Sequence, residues 1–500
     1  MIVSVVSIQT LISVNYRKLQ CVSIALGLSA CSISSSGQAN LPLTTCSVVT
    51  STRDASRCIG SVRPAAPIPV LDPHHIYTLP ELIDIAETAS PEGRIAWTTA
   101  KHSLENTGID RALYLPILTF VAQSSDARFI VPFPEPIAPR GYVTVGEPIA
   151  SAQLQFEYSL LDFGRGPKLD GSKALEIASS LRLGRIHQTL AFNTATQFYR
   201  VQSAVGELDA AKIILQTAET VLSNAQSQFD NGRATLPDVE NARAGAAEAR
   251  YNLAAAQGEV QKAKLTLTET IGVEPSAEID IVAQDSADLP GTLDTSVEDL
   301  VQTAWKSRPD LLARAQDLRN AKDATRIAHS AYLPSVSLNA AGGQTNAWPS
   351  ADWGILGPAS VPTWSVEAKL SWQVFNGARK HEVAAALADQ QAAGEEQRAT
   401  QDSVTRQVWE AYVDYQTAAE QQRSAQSFLA AAQTSYDSSL DAYKYGVRSL
   451  VDVVQSEGQL AQARIASVRS IAQLMQSAVA LSYASGDLLH TTTAPRGVHP

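Results

Sequence analysis

Phe229–Asp238 reads FDNGRATLPD and Tyr443–Asp452 reads YKYGVRSLVD, and the pairing of these two stretches decides the fold. Gly232 and Gly446, Leu236 and Leu450, and Asp238 and Asp452 all lie 214 residues apart, and Gly272 and Gly486 keep that register. Further out, a register of 218 joins Tyr114-Leu115-Pro116 to Tyr332-Leu333-Pro334 and Pro91-Glu92 to Pro309-Asp310. Two registers separated by a small insertion identify an internal duplication. In each copy a glycine stands where one helix must stop and the chain reverse, so Gly232 and Gly446 are read as turn glycines.

Each copy opens with a capped helix, at Thr78-Leu79-Pro80-Glu81 and at Ser296-Val297-Glu298-Asp299, that runs to its Tyr-Leu-Pro. Beyond the proline the hydrophobic period changes to two. Ser335-Val336-Ser337-Leu338-Asn339-Ala340 alternates, and after a loop of Gly, Pro, Asn and Trp so do Trp364, Val366, Ala368, Leu370, Trp372 and Val374 with their polar neighbours. In the first copy Leu154, Phe156, Tyr158 and Leu160 alternate with Gln153, Gln155, Glu157 and Ser159. A soluble sheet packed on a core alternates in the same way, but Trp364 and Trp372 are spaced about 26 Å apart at strand rise, the height of the apolar band between aromatic belts. Trp364, Trp372 and Tyr158 are therefore read as a membrane girdle, and Gln155, Glu157, Glu367 and Lys369 as the wet face. Each copy supplies one strand pair, and four strands cannot close a barrel, so several chains must combine.

Past the second strand of each copy, Arg165 and Arg379 again lie 214 apart, and a helix of roughly 97 Å follows in the first copy. Val201, Val205, Leu208, Leu215, Leu222, Ala225 and Phe229 suggest a coiled-coil seam along it. The stretches Leu79 to Leu113 and Pro237 to Ile271 are each about half as long, so the two placed end to end would flank the long helix. Small residues such as Ala244-Gly245-Ala246-Ala247 and Ala254-Ala255-Ala256 allow close packing. A coiled-coil scaffold of the cell interior would account for the helices but not for the strand pairs.

Composition bounds the partners. The chain has 500 residues, 39 Lys plus Arg against 50 Asp plus Glu, and a net charge of −11, which argues against nucleic acid. No metal pattern is present, and no cofactor is expected. Arg17-Lys18, the apolar run from Cys21 to Leu28, and Leu28-Ser29-Ala30-Cys31 read as an export signal over residues 1–30. One reading of its end is a lipobox that makes Cys31 a lipidated first residue. Ordinary cleavage after Gly37-Gln38-Ala39 is a second, and an uncleaved membrane helix, for which the apolar run is short, is a third. Residues 31–76 read as a Ser/Thr/Pro-rich tether, 77–275 as the first repeat, 276–295 as a linker, 296–487 as the second repeat and 488–500 as a disordered tail. With Cys31 lipidated, Cys46 and Cys58 remain as a pair that is either a disulfide or two thiols.

These features resemble the TolC-like outer-membrane efflux family, the outer-membrane factors of Gram-negative tripartite pumps. The closest words are SRPDLLARAQ from Ser307, IAHSAYLPSVSL ending at Leu338, WQVFNGARK from Trp372 and YGVRSLVDVVQSEGQLAQAR from Tyr445. The resemblance implies an α+β membrane protein: a trimeric β-barrel with four strands per chain, continued by a long α-helical coiled-coil barrel. It implies a homotrimer in outer-membrane lipid, with a periplasmic adaptor docked at the tip around Gly232 and Gly446 and an inner-membrane pump supplying energy. It also implies a gate at that tip, carried here by Asp238, Tyr443, Arg448 and Asp452. Gln455 stands where a second acidic ring residue is expected, so the ring charge is reduced. The expected function is passive efflux of small molecules, drugs or metal ions; a type I protein-secretion duct and a structural or adhesion-related envelope protein are the alternatives. No nucleotide loop or nucleophile arrangement suggests an enzyme.

Overall fold

The computed structural model describes residues 51–61, 71–136, 138–282, 289–290 and 295–487. The export signal, Cys31, Cys46 and the tail lie outside them, as does part of the linker. Helix α1 (Thr52–Ser61) forms where an extended tether was expected. The first repeat then runs β1 (Ile76–Tyr77), α2 (Leu79–Ala89), α3 (Pro91–Ala112), β2 (Ile117–Pro132), β3 (Tyr142–Leu161), α4 (Arg165–Asp230) and α5 (Leu236–Thr270), with β4 (Asp280–Ile281) after it. The second comprises α6 (Val297–Ser307), α7 (Pro309–Ser330), β5 (Ser335–Ala347), the short β6 (Ser350–Ala351) and β7 (Gly354–Ile355), β8 (Ala359–Ser371), α8 (Arg379–Lys444) and α9 (Leu450–Ser485).

Three expectations change in detail. The opening helix of each repeat is two helices, because Pro91 and Pro309 start new ones after Ser90 and Arg308. A proline forbids the helical hydrogen bond to the preceding turn but fits at the first helical position. Strand β8 ends at Ser371, so Trp372 stands one residue past it, its indole N–H donating to the Tyr332 carbonyl at 3.1 Å. The seam of α4 is also composed differently. Ala204, Ala211, Ala218 and Ala225 are buried at seven-residue spacing, whereas Val205 is 37% exposed and off the seam.

The alanines interleave with Val201, Leu208, Leu215, Leu222 and Phe229 in steps of three and four, which is the a/d pattern of a left-handed coil. Partner α5 answers with Val239, Ala242, Ala246, Ala249, Val260, Ala263 and Leu267 in the same register. In the second repeat, α8 buries Val404, Val408, Ala411, Tyr415, Ala418 and onward to Tyr436 against α9. Both long helices have 66 residues, about 99 Å at helical rise. The two coils touch through α4 and α9, where Arg469 grips Glu207 through Nε at 3.0 Å and Nη2 at 2.7 Å.

The four long strands form one antiparallel sheet in the order β2-β3-β5-β8. Paired residues share a face in such a sheet. One row across the strands is Leu118, Phe156, Ala340, Val366, and the next on that face is Phe120, Leu154, Gly342, Trp364. The opposite face carries Thr119, Gln155, Ala341, Ser365 and then Ile117, Glu157, Asn339, Glu367. Trp364 is 81% exposed and Phe120 68%, so no core among the described residues covers the apolar face. Strands β2 and β8 are the open edges. Among the described residues no helix is long and apolar enough to cross a membrane.

Candidate channel gate

The long helices end at one tip, and the two turns there have the same chemistry. Gly232 has φ 70° and Gly446 φ 73°, the left-handed conformation that a side chain resists. The Gly232 N–H donates to the Phe229 carbonyl at 2.9 Å and the Arg233 N–H to Gln228 at 2.8 Å. Gly446 to Tyr443 at 2.9 Å and Val447 to Ala442 at 2.8 Å repeat the pair. Each is a Schellman cap, closing helix carbonyls that would otherwise lack partners.

The returning helices start alike. The Thr235 N–H and hydroxyl donate to Asp238 Oδ2 at 2.8 and 2.6 Å, and the Ser449 N–H and hydroxyl donate to Asp452 Oδ2 at 3.1 and 2.8 Å. Hydrogen bonds from the Thr235 side chain and backbone hold the Asp238 carboxyl below its usual range. The Ser449 hydroxyl and N–H do the same for Asp452, with the Arg448 charge adding to them. In both residues Oδ2 is engaged in capping the helix, and Oδ1 takes no part in the cap.

Asp238, Tyr443 and Arg448 come together although they arise in different repeats. They line a cavity of about 400 Å³ between the two turns, with Gln228, Arg233 and Lys444 on its wall. Asp452 does not line it. Tyr443 lies one heptad beyond the buried Tyr436 and packs at the end of the same core. Its hydroxyl is buried and has no hydrogen-bond partner among the described residues. Burial, then the Asp238 charge, raises the Tyr443 phenol above its ordinary value. Arg448 forms no ion pair within 4 Å among the described residues. The arrangement is a set of donors and a carboxylate beside one another with spare bonding capacity.

Sequence reasoning missed Glu457, which lies two turns past the start of α9. Burial pushes its carboxyl to about 7. The same site holds Tyr436, pushed to about 12 by burial, Glu457 and Asp437. The seven-residue step from Tyr436 to Tyr443 was the signal available for finding this end of the seam.

A sheet with an uncovered apolar face, a wet opposite face and two open edges, mounted on paired 66-residue helices, defines the class of outer-membrane duct proteins. The model of the outer membrane efflux protein family matches residues 82–273 and 300–487. The chain is 24% identical to the cation efflux system protein CusC of Escherichia coli over 318 residues, covering 62% of this chain and 67% of that protein. It is 26% identical to the protein CyaE of Bordetella pertussis over 436 residues, covering 82% and 84%. Among solved structures, a membrane protein from Pseudomonas aeruginosa superposes with a TM-score of 0.70 at 20% identity, covering 85% of this chain and 98% of the other. The outer membrane protein VceC from Vibrio cholerae gives 0.67 at 18% identity, covering 82% and 96%. The chain belongs to the outer membrane efflux protein family, whose members are channels of the Gram-negative outer membrane and not enzymes.

Proposed function

We propose that this chain is the passive exit duct of a tripartite pump for small molecules, drugs or metal ions. Three copies close one barrel of twelve strands, β8 of each pairing antiparallel with β2 of the next. The observation that carries this reading is the sheet itself, because its two open edges and uncovered apolar face are both costly for a chain left single in water. Lipid takes the apolar face, with Trp364, Trp372 and Tyr158 near its margins. Glu157, Glu367, Gln155 and Lys369 then line the lumen. Where Cys31 is lipidated, it adds an anchor.

Below the barrel the coils form the tunnel, closed at the tip. There Tyr443 and Arg448 bond to carboxylates across the ring, Asp238 and Asp452 among them, through oxygens not engaged in capping. The links of the exposed Arg448 are individually weak, so a docking adaptor around Gly232 and Gly446 can exchange them. An inner-membrane pump supplies the energy. Similarity to a cation efflux protein supports small cargo.

Single-channel conductance in planar bilayers tests this. Asp238→Ala combined with Arg448→Ala raises conductance if the tip is the constriction. Unchanged conductance removes the gate, and absence of channels in both proteins removes the duct.

A further inference from the structure

Helix α1 packs on α3 and α4 close to where the helices give way to strands. Between them lies a cavity of about 560 Å³, with Arg53, Glu105, Arg111 and Glu176 on its wall and the hydroxyls of Ser56 and Thr107 among them. Gly108 also lines it, and α3 ends at Ala112, so the rim formed by Gly108 and Arg111 lies within about 6 Å of the helix end, with Leu104 and Glu105 about a further turn away. The outward row of β2 begins at Leu118, just beyond the turn. A bilayer's headgroup layer extends about 5–8 Å beyond its apolar core on each side. The rim of the cavity at Arg111 therefore faces the headgroup layer on the helical side of the membrane, with Glu105 and Glu176 on the side away from it.

Its cations lack direct partners. Among the described residues neither the Arg53 nor the Arg111 guanidinium has a hydrogen-bonded or salt-bridged partner, although most cations along these helices are paired. Arg111 is in the last turn of α3, where a helix end favours a cation, but that field is no substitute for an anion. Glu176 is 1% exposed and accepts from Ser56 Oγ at 3.3 Å. Burial pushes its carboxyl above the usual range, against the smaller opposing effects of Thr107, Ser56 and Arg111. Two cations and two carboxyls on one wall fit a ligand that carries both signs. A guanidinium fork suits a phosphate, and a primary ammonium can donate three hydrogen bonds to carboxyls, whereas a quaternary one can donate none.

We infer that this cavity is a binding site for the headgroup of phosphatidylethanolamine, its phosphate on Arg53 and Arg111 and its ammonium on Glu105 and Glu176. Seating the headgroup would fix α1 against the junction of barrel and tunnel.

The full-length protein in detergent is titrated with phosphatidylethanolamine and with phosphatidylcholine of the same acyl chains, and bound lipid is counted by native mass spectrometry. The ethanolamine lipid binds about tenfold tighter, and Arg53→Gln or Arg111→Gln each weakens it by about tenfold. Glu105→Gln brings the two lipids together. Arg57→Gln, on the same helix but 67% exposed and paired with Asp54, changes nothing. Arg53 and Arg111 are both exposed, so neither variant disturbs the core and a loss of binding is read apart from a loss of folding. Equal binding of the two lipids by the unmodified protein, or full binding by Arg53→Gln, overturns the assignment. Displacement by inorganic phosphate as effective as by phosphoethanolamine overturns it in favour of a free-anion site.

Discussion

Arg308 grips Asp310 with Nε on Oδ1 at 3.0 Å and Nη2 on Oδ2 at 2.6 Å, while its Nη1 donates to the Ala484 carbonyl at 3.3 Å. The end of α9 is thereby satisfied from several elements. Arg185 reaches the Tyr483 carbonyl at 3.1 Å, Ser307 that of Ser485 at 2.9 Å, and Gln188 that of Gly486 at 3.2 Å. The Arg185 guanidinium also stacks 3.7 Å from the Tyr483 ring. A helix C-terminus buried at a domain junction needs such partners, and cations suit its negative end. The SRPD motif is this clamp, joining α6, α7 and α9 to the first repeat.

Arg308 is 2% exposed, so Arg308→Ala removes a buried guanidinium and leaves the half-buried Asp310 carboxylate and the Ala484 carbonyl short of donors. The expected loss is about 3–5 kcal/mol. Arg308→Lys restores charge but not the fork, and keeps less than half of that stability. Urea unfolding in detergent measures both, and a lysine variant as stable as the original refutes the clamp.

The tip caps give a second prediction. Thr235→Ala and Ser449→Ala each remove a capping hydroxyl at a cost of about 1 kcal/mol to the returning helix. Hydrogen exchange should therefore quicken in the first turns of α5 and α9 and nowhere else. The Asp238 and Asp452 carboxyls are lowered in the folded state, so their contribution is present above the ordinary carboxylate pKa and is lost as pH falls through the lowered values. Exchange at these turns should be flat from pH 7 to 5, once corrected for intrinsic rate, and rise only in stronger acid.

The repeat, the strand pairs and the long helices were legible because each rests on a local periodicity. The seam was only half legible. Ala204, Ala211 and Ala218 carry little hydropathy, so the larger Val205 drew attention although it faces outward. The prolines at 91 and 309 were visible, but a proline after a polar residue can begin a helix or sit inside a turn of one. Pairings across the fold were not legible at all. Arg308 with Ala484 and Glu87 with His187 meet only after helices distant in sequence have packed.

Glu87 and His187 give a prediction in pH. They lie 3.7 Å apart in the core between α2 and α4, and neither ring nitrogen of His187 has a hydrogen-bond partner among the described residues. Burial, with the Asp84 charge adding, pushes Glu87 to about 8, and burial pulls His187 to about 4. Both are neutral between those values. For Glu87 the folded value is raised, so its contribution is complete below the unfolded pKa near 4.5 and is lost as pH rises through about 8. The lowered His187 value has the opposite sign, its cost growing as pH falls from 6.5 towards about 4. Glu87→Gln should flatten the loss of stability between pH 6.5 and 8.5, measured by urea midpoints. An unchanged alkaline slope would place the titrating group elsewhere.

The contact between the two repeats can be tested by a change of sign. A Cβ on Gly206 of α4 would lie 2.7 Å from Val468 Cγ1 of α9. Val468 cannot turn aside cheaply, since a β-branched side chain in a helix has one strongly favoured rotamer. Gly206→Ala gains about 1 kcal/mol in helix propensity, while overpacking costs about 1–3 kcal/mol, so the clash prevails and the variant is less stable. In a Val468→Ala background the clash is gone and only the propensity gain remains, so Gly206→Ala should then stabilise. The four proteins form a double-mutant cycle, read by urea unfolding in detergent, and the coupling should be about 1–3 kcal/mol. If Gly206→Ala has the same sign in both backgrounds, the coils are not in contact at this pair.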